Sequence, residues 1–217
     1  MTKTDIALKA DVIRELVWDP AVKETAIGVA VKDGVATLTG HLDTYAEKDA
    51  AMRAVRRVGG VKAIAVEIDV KLSPTHQRSD TDIAKNIELV LKWNTSIPPE
   101  SVRVTVDHGW VTLQGQVEWD FQRSHAEKVI RPLMGVVGIS NEIALRTRPR
   151  ADRLAQQIED ALTRQALREA KRIKVEVDGS TVTLRGAVHS WQERDAAQGV
   201  AWSAPGVGNV VNELNVG

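Results

Sequence analysis

GVATLTG, residues 34–40, returns as GWVTLQG at 109–115 and as STVTLRG at 180–186. Glycines bracketing a short segment invite a phosphate-loop reading, and the context rejects it. A phosphate loop runs from its glycines straight into a helix N-terminus with a following Lys-Ser or Lys-Thr, and none of the three copies does so. Each copy instead follows an alternating run: Ile27, Val29, Val31; Val102, Val104, Val106; Ile173, Val175, Val177. Period-two alternation describes a half-buried strand. Two such runs joined by Lys32-Asp33-Gly34, Asp107-His108-Gly109 or Asp178-Gly179-Ser180 form a β-hairpin. The trailing glycines, Gly40, Gly115 and Gly186, are expected to end the second strand and turn the chain toward a helix.

Working outward, residues 27–70, 102–145 and 173–216 align without a gap, at shifts of 75 and then 71. Gly60, Gly135 and Gly206 coincide, as do Glu67, Glu142 and Glu213. Upstream, Leu8, Val12 and Leu16 fall on Ile83, Ile87 and Leu91 and on Leu154, Ile158 and Leu162. That spacing of four is one face of a helix, predicted over 5–18, 80–93 and 151–165. Trp18 and Trp93 share a place at its end, where an indole is expected to cap the core.

A second helix follows the hairpin. It opens on Thr44-x-x-Glu47 and Ser190-x-x-Glu193, both capping boxes, whereas the second copy has Trp119 there and Asp120 is expected to cap instead. Its buried face begins at Ala51, Ala126 and Ala197, which suits a close approach to the sheet. Gly60, Gly135 and Gly206 stand where a helix C-terminus needs a left-handed residue. A third strand, parallel to the second through the crossover, closes the unit. The fold class is therefore α+β: three tandem αββαβ units, each a small three-stranded mixed sheet with two helices on one face. Their expected bounds are 1–73, 78–147 and 149–217.

Composition excludes several functions. Lys+Arg and Asp+Glu both number 29, so no global field draws in nucleic acid. With no cysteine there is no disulfide, thiol catalysis or Cys-based zinc site. No apolar run reaches the roughly 18 residues of a membrane span. Charged residues interrupt the opening MTKTDIALKADVIREL, so the chain reads as cytoplasmic as written, and as periplasmic if a leader was removed. The five histidines, His41, His76, His108, His125 and His189, share no position between copies and form no catalytic or metal-binding constellation.

Copy two carries VRVTVDHGWVTLQGQV with GVVGISNEIAL, and copy three IKVEVDGSTVTLRGAV with GVGNVVNELNV. This combined pattern resembles the BON domain (bacterial OsmY and nodulation) over nearly the whole chain. Copy one departs from it at Val66, where the others have Asn141 and Asn212. The resemblance implies a protein that is not an enzyme and needs no cofactor, a stress- or osmotic-response type of binding or scaffolding protein. It further implies peripheral binding to anionic phospholipid. A cytosolic relative, with a BON unit beside a LysM unit, binds potassium, which keeps a monovalent-cation or small-ligand sensor as the alternative. A self-assembly module is the third reading.

Membrane-surface binding needs cations beside apolar residues. Two places qualify: Arg53, Arg56, Arg57 and Lys62 around the end of the first unit's second helix, and Arg164, Arg168, Lys171 and Arg172 on the third unit's first helix. Trp110 is a candidate interaction surface, because it points outward from a strand where its counterparts are Val35 and Thr181. Glu67, Glu142 and Glu213 face away from the core and are read as inherited cross-strand pairing.

Overall fold

A computed structural model describes residues 3–146, 154–164 and 173–217. Each repeat runs helix, strand, strand, helix, strand. The first comprises α1 (Asp5–Trp18), β1 (Ile27–Lys32), β2 (Val35–Leu42), α2 (Tyr45–Arg56) and β3 (Ala63–Val70). The second comprises α3 (Asp80–Lys92), β4 (Val102–Asp107), β5 (Trp110–Val117), α4 (Asp120–Ile130) and β6 (Gly138–Leu145). The third comprises α5 (Leu154–Arg164), β7 (Lys174–Asp178), β8 (Thr181–Val188), α6 (Trp191–Trp202) and β9 (Asn209–Val216). The three sheets are ordered β1-β2-β3, β4-β5-β6 and β7-β8-β9. In the second and third, the hairpin is antiparallel and the crossover pair parallel. The described residues fall into two compact units, one holding residues up to Thr39, Ala51–Glu67 and the third repeat, the other Gly40–Ala50 with Ile68–Arg146.

The cores follow the periodicity. In the second repeat Ile83, Ile87 and Leu91 meet Val111, Leu113, Ala126 and Ile130; in the third, Leu154, Ile158 and Leu162 meet Val182, Leu184, Ala197 and Ala201. Ala51, Ala126 and Ala197 are all fully buried, so the second helix sits against its sheet with only a methyl between them.

Two expectations about glycine are refined. Gly40, Gly115 and Gly186 lie inside the second strand, which continues two residues further in each repeat, so they do not end it. Their φ values of +130°, +143° and +138° are closed to side-chain-bearing residues, and a Cβ on Gly115 would stand 2.0 Å from the Ser101 carbonyl oxygen. The glycine lets that carbonyl, which accepts from Gln116 N at 3.1 Å, press against the strand. Gly60, Gly135 and Gly206, at φ between +90° and +97°, close the short turns after the second helix.

Three other expectations meet a correction or a reason. Trp18 and Trp93 do not cap the core: they are 83% and 80% exposed. Trp18 lies two residues past buried Leu16, about 200° around the helix, and so on its far side. Asp120 does not cap α4; it is the first helical residue and holds Arg123. The cap comes from Gln122, whose Oε1 accepts from Glu118 N and Trp119 N, both at 3.1 Å. The other two caps form as read, with Thr44 and Ser190 hydroxyls each accepting at 3.2 Å from the amide three residues on. Two of the three repeated glutamates pair across strands: Glu142 accepts from Gln114 at 2.7 Å and Glu213 from Arg185 at 2.6 Å.

Candidate functional site

The hairpin turns hold an anion, and it is the chain's own. The Asp5 carboxylate, on the first turn of α1, accepts from Asp33 N at 2.8 Å and Gly34 N at 3.0 Å. Asp80 does the same for His108 N and Gly109 N, both at 2.9 Å. Amides clustered in a left-handed turn form a natural anion nest. Here they staple the hairpin to the first helix, which explains why so phosphate-like a motif needs no phosphate. The third repeat has Ala151 at the matching position, outside the described residues.

The arginines of the first repeat's predicted basic cluster have partners within the protein. Arg57 donates to Glu15 at 2.6 Å and to Asp19 at 3.1 Å, fastening the end of α2 to α1. Burial opposes ionisation of the Asp19 carboxyl. Hydrogen bonds from Arg57 and from Ala21 N outweigh that and hold it below the usual carboxylate range. The Lys62 stem covers Gly34. Arg56 pairs with Asp195 of the third repeat at 3.0 Å, and Arg53 also has a partner. Of the second cluster, Arg164 is exposed at the end of α5, while Arg168, Lys171 and Arg172 lie outside the described residues. Trp110 is seated on its own sheet: Gly138, its register partner, leaves room for the ring, and Nε1 donates to Ser140 Oγ at 2.9 Å. It remains 49% exposed.

The arrangement that sequence reading missed is a dock used twice. In one compact unit Trp191, the first residue of α6, lies with Met52, Arg56, Ile64 and Val66 around a cleft of about 130 Å³. Its Nε1 donates to Val61 O at 3.0 Å, and Asp195, one helical turn on, holds Arg56. In the other unit Tyr45, the first residue of α2, packs on the second repeat's core beside Ile139. Asp49, one turn on, holds Arg131 at 2.8 Å. Tyr45 and Trp191 occupy the same repeat position, as do Asp49 and Asp195, Arg131 and Arg56, and Ile139 and Ile64. One geometry therefore joins the first repeat to the second and the third to the first.

The dock in the second unit is the more buried of the two. Arg131 and Asp49 side chains are 21% and 11% exposed, and Arg131 also donates to Glu127 at 2.7 Å. Burial raises the Tyr45 phenol above its ordinary range, and the nearby Glu127 carboxylate adds to it. In the first unit the Arg56–Asp195 pair is nearly half exposed on both sides.

The dock also accounts for Val66. In the sister repeats the matching asparagine ties the third strand to the second helix: Asn141 Nδ2 donates to Arg123 O at 3.0 Å, and Asn212 Nδ2 to Gln198 Oε1 at 3.1 Å. In the first repeat that position faces Trp191, and valine supplies an apolar wall. Lys48 restores a tie by donating to Ile68 O at 2.7 Å, as Arg194 does to Leu214 O at 3.2 Å. The remaining matching positions carry other residues. The second repeat has Asp120 and Ser124 in place of aromatic and aspartate, and the third has Trp202 in place of arginine.

Among the described residues no cluster of His, Asp and Glu is placed to hold a metal ion, and no helix is long and apolar enough to cross a membrane.

The BON domain description matches residues 4–71, 79–147 and 150–217. Osmotically-inducible protein Y of Escherichia coli (strain K12) is 27% identical over 143 residues, 64% of this chain and 71% of that protein. Among solved structures, CdsD, a structural protein of the Type III secretion system of Chlamydia trachomatis, aligns over 96% of this chain and 91% of its own at 12% identity and a TM-score of 0.26. A second CdsD structure, of the C-terminal domain, aligns over 99% of both chains at 12% identity and a TM-score of 0.25. The three-fold match rests on the residues that build each repeat, and the chain belongs to the BON domain family as three tandem copies.

Proposed function

We propose that this chain is a non-catalytic scaffolding and binding protein of the osmotic-stress type, built from modules at 1–73, 78–147 and 149–217. The observation that carries the reading is the repeated dock. What the repeats share is cores and turns, the first two share the carboxylate staple as well, and these polar residues are used to build and join the repeats. The similarity to Osmotically-inducible protein Y supports the osmotic setting, and abundance rising after an osmotic upshift is its first check.

The partner class is anionic phospholipid, met peripherally. Support comes from the family and from the exposed Arg164 at the head of the second basic cluster. Arg56 and Arg57 are poor subjects for a test, because reversing them breaks ion pairs inside the protein. The test is vesicle flotation at low and physiological salt, comparing wild type with a Lys62→Glu, Arg164→Glu, Arg168→Glu, Lys171→Glu, Arg172→Glu variant. Lipid binding predicts flotation with anionic vesicles only, weakened by salt and abolished in the variant. No flotation of the wild type removes the lipid partner and leaves the scaffold.

A further inference from the structure

Helix α1 is apolar on two sides. Leu8, Val12 and Leu16 face the core and are buried, while Ile6, Ala10, Ile13 and Val17 lie exposed on the other side. Ile6 is 84% exposed, Val17 59% and Ile13 40%. At 3.6 residues per turn these four fall within an arc of about 60°. Their 4-3-4 spacing is that of the a and d positions of a heptad.

The repeat does not need this stripe in order to fold. The matching positions on α3 are Thr81, Lys85, Glu88 and Lys92, and on α5 they are Gln156, Glu159 and Thr163, with Asp152 outside the described residues. Two sister repeats with the same fold thus keep a polar surface where the first repeat exposes isoleucine and valine. A contiguous apolar strip in water marks a contact surface.

Width and charge choose the occupant. A strict a/d stripe is narrower than the face a helix lays against a core, and it is the seam another helix fits. Ala10 sits between Ile6 and Ile13 and permits close approach. Lys9 and Arg14 border the seam on its two sides, at the g and e positions. The acids of α1 are turned away and engaged: Asp5 with the hairpin amides, Asp11 with Lys3 and Arg14, and Glu15 with Arg57. A second copy docked on this seam would set Lys9 against Arg14 when parallel, and Lys9 against Leu16 with Arg14 against Ala7 when antiparallel at full overlap, so it offers neither cation an acid. We propose that the outer face of α1 docks an amphipathic helix of a partner protein, about three turns or longer, whose apolar seam is flanked by Asp or Glu. This goes beyond the scaffold and lipid reading and does not depend on it.

The test uses the full chain and two labelled 21-residue heptad peptides, identical at a and d with Ile and Leu, one with Glu and the other with Lys at e and g. The seam variant is Ile6→Thr, Ala10→Lys, Ile13→Glu, Val17→Lys, which installs the second repeat's own residues and therefore preserves the fold. Fluorescence anisotropy is expected to show the Glu peptide binding at least tenfold tighter than the Lys peptide, with that binding weakened at least tenfold in the seam variant. The seam variant is the more cationic protein, so that loss cannot be charge alone. A Lys9→Glu, Arg14→Glu variant should reverse the order of the two peptides. The proposal is overturned if neither peptide binds, or if the seam variant binds the Glu peptide as well as wild type. It is equally overturned if the seam variant loses instead either anionic-vesicle flotation, which would make the occupant a bilayer, or a concentration-dependent increase in mass, which would make it a second copy.

Discussion

Replacing Gly115 by alanine tests the strand glycine directly, because its two costs can be separated. Its φ of +143° lies outside the regions open to L-residues, and holding a side-chain-bearing residue there costs about 1–3 kcal/mol. The added Cβ would stand 2.0 Å from the Ser101 carbonyl oxygen, a backbone atom that cannot rotate away. Relieving that overlap costs about 1–3 kcal/mol more. The sum, about 2–6 kcal/mol, approaches the whole stability expected of a repeat this size, about 4–10 kcal/mol. Gly179→Ala carries the conformational cost alone: φ is +59° and nothing lies within 4 Å, so the loss is about 1–2 kcal/mol. Gly199→Ala, inside α6 with open space around it, carries neither cost and should gain up to about 1 kcal/mol. Three linked repeats need not unfold together, so hydrogen exchange read separately on β5 and β8 is the appropriate assay. Protection of β5 should fall by roughly thirtyfold or more in Gly115→Ala, that of β8 by about tenfold in Gly179→Ala, and that of β8 should hold or rise in Gly199→Ala. A Gly115→Ala loss no larger than that of Gly179→Ala would refute the claim that the Ser101 carbonyl requires glycine.

Asp49→Ala and Arg131→Ala, singly and together, should give a coupling energy of about 1.5–3 kcal/mol in a double-mutant cycle read by hydrogen exchange on α4, because the pair is largely buried. The same cycle on Arg56 and Asp195, read on α6, should stay below about 1 kcal/mol, as expected of a half-exposed pair, and equal couplings would contradict the difference in burial. Asp19 adds a pH dependence: its folded pKa is depressed, so its contribution is fully present above the ordinary carboxylate value of about 4 and is lost as pH falls through the lower folded value. The unfolding midpoint of wild type should therefore drop below about pH 4 more steeply than that of Asp19→Asn, and parallel curves would show that the Arg57 bond does not hold the carboxyl down.

How far the sequence carries can be read from particular residues. The register of Gly40, Gly115 and Gly186, with the fours of Leu8, Val12 and Leu16 and the twos of Val102, Val104 and Val106, determines three αββαβ units. Periodicity and turn chemistry report local geometry, and burial of one face follows from them. That Glu142 and Glu213 pair across strands was legible too, while the partner of Glu213, Arg185, follows from the strand register.

What lay beyond the sequence depends on where distant segments meet. Asp5 is an ordinary first-turn carboxylate until the fold sets it against amides 28 and 29 residues away. Tyr45 and Trp191 look like two unrelated aromatics, and Arg56 like part of a basic cluster, until Asp195 arrives from 139 residues along the chain. Even the outer stripe of α1 becomes a surface only once Leu8, Val12 and Leu16 have claimed the inner one. The sequence by itself determined each repeat, because its code is a short-range period. Tertiary structure alone decided which residues are staples, docks and open faces, because those are properties of proximity between segments that no local period records.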